Sequence, residues 1–145
     1  MNIWHDINPA RITRSSFDAV IEISKGSKMK YELDKETGML HLDRVLHTST
    51  HYPANYGFIP RTYALDNGAP DDKIIAIPVG DPTYNGYSDI SQLPKHVFDE
   101  MIHFFSVYKT LENKETVIDE AKGVLSAVEI VEDAINRYNE MFPGK

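Results

Sequence analysis

The sequence predicts an α+β fold, with an antiparallel sheet or barrel first and helices packed against it afterwards. Three observations predict it: apolar and polar residues alternate in the first half, the middle is rich in turn residues, and the second half carries apolar residues at helical spacing. The length of 145 residues and the apolar content of 41% suit one domain, residues 1–145.

Alternation in the first half predicts three strands. The first runs from Phe17 to Ile23, and Glu22 projects away from its apolar row. The second starts at Met29, with Met29, Tyr31 and Leu33 on one face and Lys30, Glu32 and Asp34 on the other. A hairpin turn at residues 35–38, in which Gly38 can take positive φ, leads into a third strand from Met39 to about Leu46.

The middle of the chain predicts loops and one further strand. His51 to Tyr63 is rich in aromatic residues, proline and glycine and favours an irregular segment. An acidic loop, residues 66–72, follows it. The apolar run from Ile74 to Val79 then predicts a strand.

Two helices are predicted in the second half. One begins near Pro94 and carries apolar residues at helical spacing as far as Tyr108. The other begins at a predicted capping box, Ser126 to Glu129, and stops before Pro143.

Composition narrows the functional classes. A formal net charge of -7 argues against nucleic acid and against anionic membranes as partners. The absence of cysteine excludes thiol chemistry and, with no signal peptide or membrane span in the sequence, predicts a cytoplasmic protein. None of the six histidines has an HxH or HExxH spacing, and no P-loop is present.

The sequence combines several cationic residues with many carboxylates and tyrosines, although the chain is acidic overall. Lys30, Arg44 and Lys109 could hold phosphoryl oxygens, while carboxylates hold magnesium. Simpler interpretations stay open: the acidic loop could be a solvated turn, Arg44 could form a structural ion pair, and Tyr56 and Tyr108 could be core or rim aromatics.

Five ordered strings resemble the soluble family I inorganic pyrophosphatases, from about Trp4 to at least Glu115. The most specific is tyrosine-proline-alanine-asparagine-tyrosine-glycine at residues 52–57. The other four are KYELD at 30–34, LDR at 42–44, DDKIIA at 71–76 and HFFSVYK at 103–109.

The resemblance implies an OB-like antiparallel β-barrel with flanking C-terminal helices, and magnesium-dependent hydrolysis of pyrophosphate to two phosphates by metal-activated water. It implies that phosphate is bound by cations and phenols: Lys30, Arg44, Tyr56, Lys73, Tyr108 and Lys109. It further implies that acidic residues line the metal cavity: Glu22, Glu32, Asp66 and Asp71.

The chain departs from the family pattern after Tyr63. Relatives carry two acidic motifs separated by strands, whereas only one is found here, and the missing stretch would be on the order of 30 residues. Asp66 and Asp71 fit the second motif, with Lys73 as a nearby cation. They also fit the outer aspartates of the first motif, in which case Gly68 replaces the central aspartate and no catalytic base can be assigned.

Loss of strands would leave the barrel incomplete, with exposed strand edges and uncovered core that favour a homo-oligomer. Three hypotheses therefore remain open. One is hydrolysis of pyrophosphate at a rebuilt site, and the alternative function is a catalytically impaired remnant that still binds phosphate but lacks part of the acidic metal cluster. The third is a deletion or splice form selected or built for structural reasons.

Overall fold

The computed structural model describes residues 1–65, 71–110 and 120–145. Strands come before helices along this part of the chain, which confirms the predicted α+β class. Two short 3-10 turns, Pro9–Arg11 and Ile90–Gln92, accompany the main elements. Those elements are β1 (Val20–Ile23), β2 (Met29–Leu33), β3 (Leu40–Val45), β4 (Tyr56–Phe58), α1 (Lys95–Val107) and α2 (Val124–Met141).

The strands form two antiparallel pairs, β1 with β4 and β2 with β3. Within the described ranges no sheet closes on itself, so the OB-like barrel stays a prediction. Each pair leaves strand edges without a partner strand among the described residues, as an incomplete barrel would.

The turn between β2 and β3 is the predicted hairpin. The Gly38 amide donates to the Asp34 carbonyl and the Asp34 amide to the Met39 carbonyl, each at 2.8 Å. Gly38 has a φ of 76°, and a Cβ there would lie 2.8 Å from the Asn2 Cα. Glycine is therefore required both by the turn and by the close approach of the N-terminal segment.

A β-bulge interrupts the pairing of β2 with β3. Lys30 lies opposite Arg44 whereas Tyr31 lies opposite Leu42, so Asp43 is an extra residue on β3. Without the bulge, Arg44 would oppose Met29 and point to the apolar side of the sheet. The bulge instead places Arg44 beside Lys30.

Three sequence predictions about strands were wrong in part. Residues 74–79 are not a strand, because no described strand pairs with them and Pro78 has no N–H to donate. Residues 56–58 of the predicted irregular segment form β4, which is stabilised by pairing with distant β1. The first strand is shorter than predicted, and Phe17 forms only an isolated bridge to Ile12.

Two clusters of buried residues hold the elements together. One joins β1 to α1 and the segment before β4 through Ile23, Leu46, Tyr52 and Phe104. The other, Trp4, Leu33 and Tyr138, joins the N-terminal segment and β2 to α2. The first cluster is the floor of the site described below, because Tyr56 and Tyr108 pack against it.

Both predicted helices are present, but α2 starts earlier than the capping box predicted. Gly123 is its N-cap residue and gives no side-chain hydrogen bond. The Val124 amide is bound instead by the Asp89 carboxylate, at 2.8 Å. Neither α1 nor α2 combines the length and apolar character that a membrane-spanning helix needs.

Candidate functional site

Asp43 brings two of the predicted phosphate-binding cations together. Its Oδ2 accepts a hydrogen bond of 3.2 Å from Lys30 Nζ and lies 3.6 Å from Arg44 Nη1. The Lys30 ammonium also donates to Glu32 Oε2 at 3.2 Å. All four side chains come from the polar side of the β2–β3 pair, where the bulge adds Asp43 to the expected alternation.

The ion pairs shift the pKa values of the groups in this cluster. Burial lowers the pKa of Lys30, but hydrogen bonds to Asp43 and Glu32 outweigh it, so the pKa is raised. The hydrogen bond from Lys30 lowers the pKa of Asp43, and the charges of Lys30 and Arg44 add to this effect. Lys30 therefore stays charged at neutral pH, as phosphate binding requires.

A second cluster lies on β4 and the segment after the undescribed residues 66–70. Lys73 Nζ donates to the Tyr56 hydroxyl at 2.9 Å and to Asp71 Oδ2 at 2.6 Å. It also lies 5.3 Å from the Tyr56 ring centroid and 5.7 Å from that of Phe105. Burial lowers the Lys73 pKa, but Tyr56 and Asp71 raise it above its usual range.

Tyr52 belongs to the buried cluster against which Tyr56 packs, and sequence analysis did not include it in the site. Only 2% of Tyr52 is exposed, and its ring lies 5.3 Å from that of Tyr56. Burial raises its pKa, the Tyr56 and Tyr108 phenols and Glu22 raise it further, and Arg44 opposes them. Tyr56 and Tyr108 both pack against the buried cluster that contains Tyr52.

Glu22 faces the polar cluster from β1, but its carboxylate already has a partner. Its Oε2 accepts a hydrogen bond of 2.7 Å from the Leu33 amide and so ties β1 to β2. Burial raises its pKa, the Leu33 amide opposes this rise, and the Glu32 charge adds to it. Glu22 therefore has a structural contact in addition to its predicted place at a metal cavity.

Tyr108 and Lys109 come from the C-terminal end of α1. The Tyr108 ring packs at 5.1 Å from Phe104 and 5.8 Å from Phe105, which places it beside Tyr56 on the same cluster. Lys109 Nζ lies 5.2 Å from the centroid of the Tyr108 ring. Asp66 and Gly68, the other predicted site residues, lie outside the described residues.

The metal ligands predicted from the sequence are not brought together in the described part of the chain. There, no group of three or more histidine, aspartate and glutamate side chains could hold a metal ion. Asp71 pairs with Lys73, and Glu32 with Lys30. The oxygen donors are of the type that magnesium prefers, but the described set is incomplete without Asp66.

Sequence analysis did not assign Asp43 or Tyr52 to the site, and the two residues differ in how visible they are in the sequence. Leu42-Asp43-Arg44-Val45 places two polar residues in succession within an alternating strand, which is the signature of a bulge. Tyr52 carried no such signal, because a buried core tyrosine and a site tyrosine have the same local pattern.

The sequence is similar to inorganic pyrophosphatases, both to a model of the family and to individual proteins. The family model described as "Inorganic pyrophosphatase" matches residues 19–69 and 64–139. Soluble inorganic pyrophosphatase 2 of Chlamydomonas reinhardtii is 39% identical over 171 residues, which cover 96% of this chain and 89% of that protein. A soluble inorganic pyrophosphatase of Solanum tuberosum is 41% identical over 169 residues, covering 94% of this chain and 80% of that protein.

Solved structures give the same result. The inorganic pyrophosphatase of Helicobacter pylori superposes with a TM-score of 0.77 at 34% identity, covering 92% of this chain and 99% of that chain. The enzyme of Thermus thermophilus superposes with a TM-score of 0.73 at 30% identity, covering 83% of this chain and 90% of that chain.

Proposed function

Because this chain belongs to the inorganic pyrophosphatase family, we propose that it hydrolyses pyrophosphate to two phosphates at the site around Tyr52. Similarity along nearly the whole chain carries this proposal. The contacts of Lys30 and Arg44 with Asp43, and of Lys73 with Tyr56, support it, since an otherwise acidic protein needs local cations to bind a polyanion.

The cations and phenols would bind the two phosphoryl groups. Arg44 can present a planar pair of N–H donors to two phosphoryl oxygens, and Lys30 a single charge beside it. Lys73 donates to the Tyr56 oxygen, which leaves the Tyr56 O–H free to donate to phosphate. Tyr108 and Lys109 would contact phosphate from the end of α1.

Magnesium is the proposed cofactor, with ligands from Asp66, Asp71, Glu22 and Glu32. These carboxylates offer the hard oxygen donors that magnesium prefers. Bound magnesium would neutralise phosphoryl charge and make water more acidic. The water would attack one phosphorus and the bridging P–O bond would break, with its electron pair passing to the leaving phosphate and the protons of the water ending on the two product phosphates. The cations Lys30, Arg44 and Lys73 stabilise the negative charge on both products.

We also propose that part of an ancestral OB-like barrel is missing after Tyr63. The aligned stretch of 171 residues exceeds the 145 residues of the chain, so part of the Chlamydomonas protein has no counterpart here. The family model matches in two ranges, and both include residues 64–69. This overlap supports the view that Asp66 and its neighbours resemble both acidic motifs at once.

The alternative, an impaired phosphate-binding remnant, is not favoured. Relatives at 39% and 41% identity are named as pyrophosphatases and align along most of the chain. The phosphate-binding residues Lys30, Arg44 and Tyr56 all lie in the described structure with partners that fix their positions or charge.

Three further properties are part of the proposal. The protein would be a single domain spanning residues 1–145, it would form a homo-oligomer, and it would work in the cytoplasm. The word "soluble" in the names of its relatives supports the last of these.

Phosphate release from pyrophosphate tests the proposed function. We expect release that requires magnesium and saturates with pyrophosphate, and none above background from the Arg44→Met/Lys73→Met double variant. If the wild-type chain releases no phosphate at high enzyme concentration while calorimetry shows saturable phosphate binding, the remnant is the correct description instead.

A further inference from the structure

Helix α2 binds both polar groups of the Tyr63 backbone. The Tyr63 amide donates to the Ala134 carbonyl at 3.0 Å, and Arg137 Nε donates to the Tyr63 carbonyl at 2.9 Å. A carbonyl oxygen has two lone pairs, so Ala134 can accept from Tyr63 and still accept within its own helix. Because the guanidinium is charged, its hydrogen bond is stronger than one between two neutral groups. Tyr63 is therefore held to α2 at two points.

The chain that leads to Tyr63 is held as well. Trp4 Nε1 donates to the Thr62 carbonyl at 2.9 Å, and the Arg61 amide donates to the Trp4 carbonyl, also at 2.9 Å. The centroid of the Tyr63 ring lies 6.5 Å from that of Trp4 and 6.2 Å from that of Phe142. The position of Tyr63 is therefore set by the N-terminal segment and α2 together.

Tyr63 comes shortly before the proposed magnesium ligands, because Asp66 and Asp71 follow it closely along the chain. Asp71 is bound by Lys73, which also donates to Tyr56 on β4. The span from Tyr63 to Asp71 is thus anchored at its start by α2 and at its end by β4. Anchoring both ends restricts the conformations from which the carboxylates must be brought to a metal ion, which lowers the entropic cost of binding it.

We infer that Arg137 is a positioning residue for magnesium binding: by holding the Tyr63 carbonyl, it sets where the chain that carries Asp66 and Asp71 begins. This role rests on the proposed function, in which the two aspartates are magnesium ligands. Arg137 lies outside the five strings by which the chain resembles its family, and it acts through Tyr63 instead of contacting metal or substrate. Residues that hold a metal ligand in place from outside the ligand set contribute about 10- to 100-fold to metal affinity.

Magnesium titration of the full chain by calorimetry, without substrate, tests this role. Arg137→Met keeps the apolar stem and removes the donor, and it should weaken magnesium binding about tenfold. Arg137→Lys keeps a charged donor but not the geometry of the guanidinium, so its magnesium affinity should fall between those of Arg137→Met and the wild type. Arg14→Met is the matched control. Arg14 Nη1 lies 3.4 Å from Glu132 Oε2 on the same helix, so this change removes a guanidinium from α2 without altering the contact with Tyr63.

Urea denaturation of the same variants separates positioning from folding. The ring contacts of Tyr63 do not involve Arg137, so Arg137→Met is expected to fold. A purely structural role would lower the free energy of unfolding and leave the magnesium affinity of the folded protein equal to that of the wild type. If Arg137→Met does not fold, Arg137→Lys decides the question, and an affinity equal to that of the wild type would overturn the inference.

Asp71→Asn, titrated in the same way, distinguishes failure of this inference from failure of the proposed function. Weaker magnesium binding in Asp71→Asn together with equal binding in Arg137→Met and Arg14→Met would overturn the role of Arg137 alone. Unchanged binding in both Asp71→Asn and Arg137→Met would overturn the inference and the proposed magnesium ligands together. The expected result is weaker binding in Asp71→Asn and Arg137→Met, with Arg14→Met equal to the wild type.

Discussion

The ammonium group of Lys73 donates a hydrogen bond of 2.9 Å to the hydroxyl of Tyr56. This contact joins the segment after the acidic loop to β4, two regions that are separate in sequence. Because the Tyr56 oxygen accepts from Lys73, the Tyr56 O–H points away from Lys73. The contact can therefore orient the Tyr56 O–H towards a bound phosphate.

Replacing Lys73 with methionine keeps the apolar stem of the side chain and removes its charge. We expect the KM for pyrophosphate to rise about 10- to 100-fold, which is the range for loss of a hydrogen bond from a charged group. Steady-state phosphate release measures it. Lys95→Met is the control, because Lys95 is 86% exposed and pairs with Asp99 on α1; equal kinetics for both variants would remove Lys73 from the site.

Asp43 is expected to act as a positioning residue through Lys30 and Arg44. Asp43→Asn should lower kcat/KM about tenfold, because both cations lose a charged partner. It should also lower the pKa of Lys30, which Asp43 helps to raise. Activity that needs protonated Lys30 is lost as the pH rises through this pKa, so the alkaline limb should move to lower pH.

The pH profile separates this role of Asp43 from a purely structural one. Asp99→Asn, on the surface of α1, should leave the alkaline limb unchanged. A fall in kcat for Asp43→Asn with no movement of that limb would show that Asp43 supports folding only.

Asp71 and Asp72 are adjacent acidic residues with different expected roles. Asp71→Asn should weaken magnesium binding about tenfold or more, since a hard cation loses a charged oxygen ligand. Asp72→Asn is the matched control and should have little effect. Magnesium titrations by calorimetry, without substrate, decide between them; unchanged affinity in Asp71→Asn would mean that residues 66–72 are a solvated turn.

Gly57 lies against β1 so closely that a methyl group at this position would overlap the Val20 carbonyl oxygen. Gly57→Ala should therefore lower the free energy of unfolding by about 2 to 3 kcal/mol by forcing β1 and β4 apart. Urea denaturation measures the change. Gly80→Ala, at a site with no atom within 4 Å, should be close to neutral; similar stability of the two variants would contradict the close packing of β4.

The surroundings of His5 predict that the free energy of unfolding falls in acid. Its Nδ1 lies 2.6 Å from the Tyr138 hydroxyl. Burial lowers its pKa below 6.5, Lys145 and Arg61 lower it further, and Asp6 opposes them. The folded state thus favours neutral His5, and this stability is present above pH 6.5 and lost as the pH falls through the folded pKa.

The matched variant is His5→Gln, which keeps a polar partner for Tyr138 and does not titrate. Between about pH 7.5 and about pH 5, the wild type should lose more unfolding free energy than this variant. Parallel losses in the two proteins would exclude His5 as the titrating group.

Local patterns predicted the parts of the fold that local interactions stabilise. Alternation in β2, the positive φ of Gly38 and the apolar spacing of α1 are visible within a few residues. β4 could not be found this way, because Tyr56 to Phe58 is extended only through pairing with β1. The same is true of the candidate site, where Lys30 and Arg44 were identified but their distance to Tyr52 depends on packing.

The start of α2 is encoded outside α2. The Asp89 carboxylate accepts from the Ser91 amide of its own short helix and from the Val124 amide, 35 residues further along. These hydrogen bonds hold the pKa of Asp89 at about 2. The carboxylate therefore stays ionised, and keeps accepting these hydrogen bonds, at neutral and mildly acidic pH. In a catalogue of natural variants, a change at Asp89 would be classed as a loop substitution, yet its effect would be that of a helix mutation.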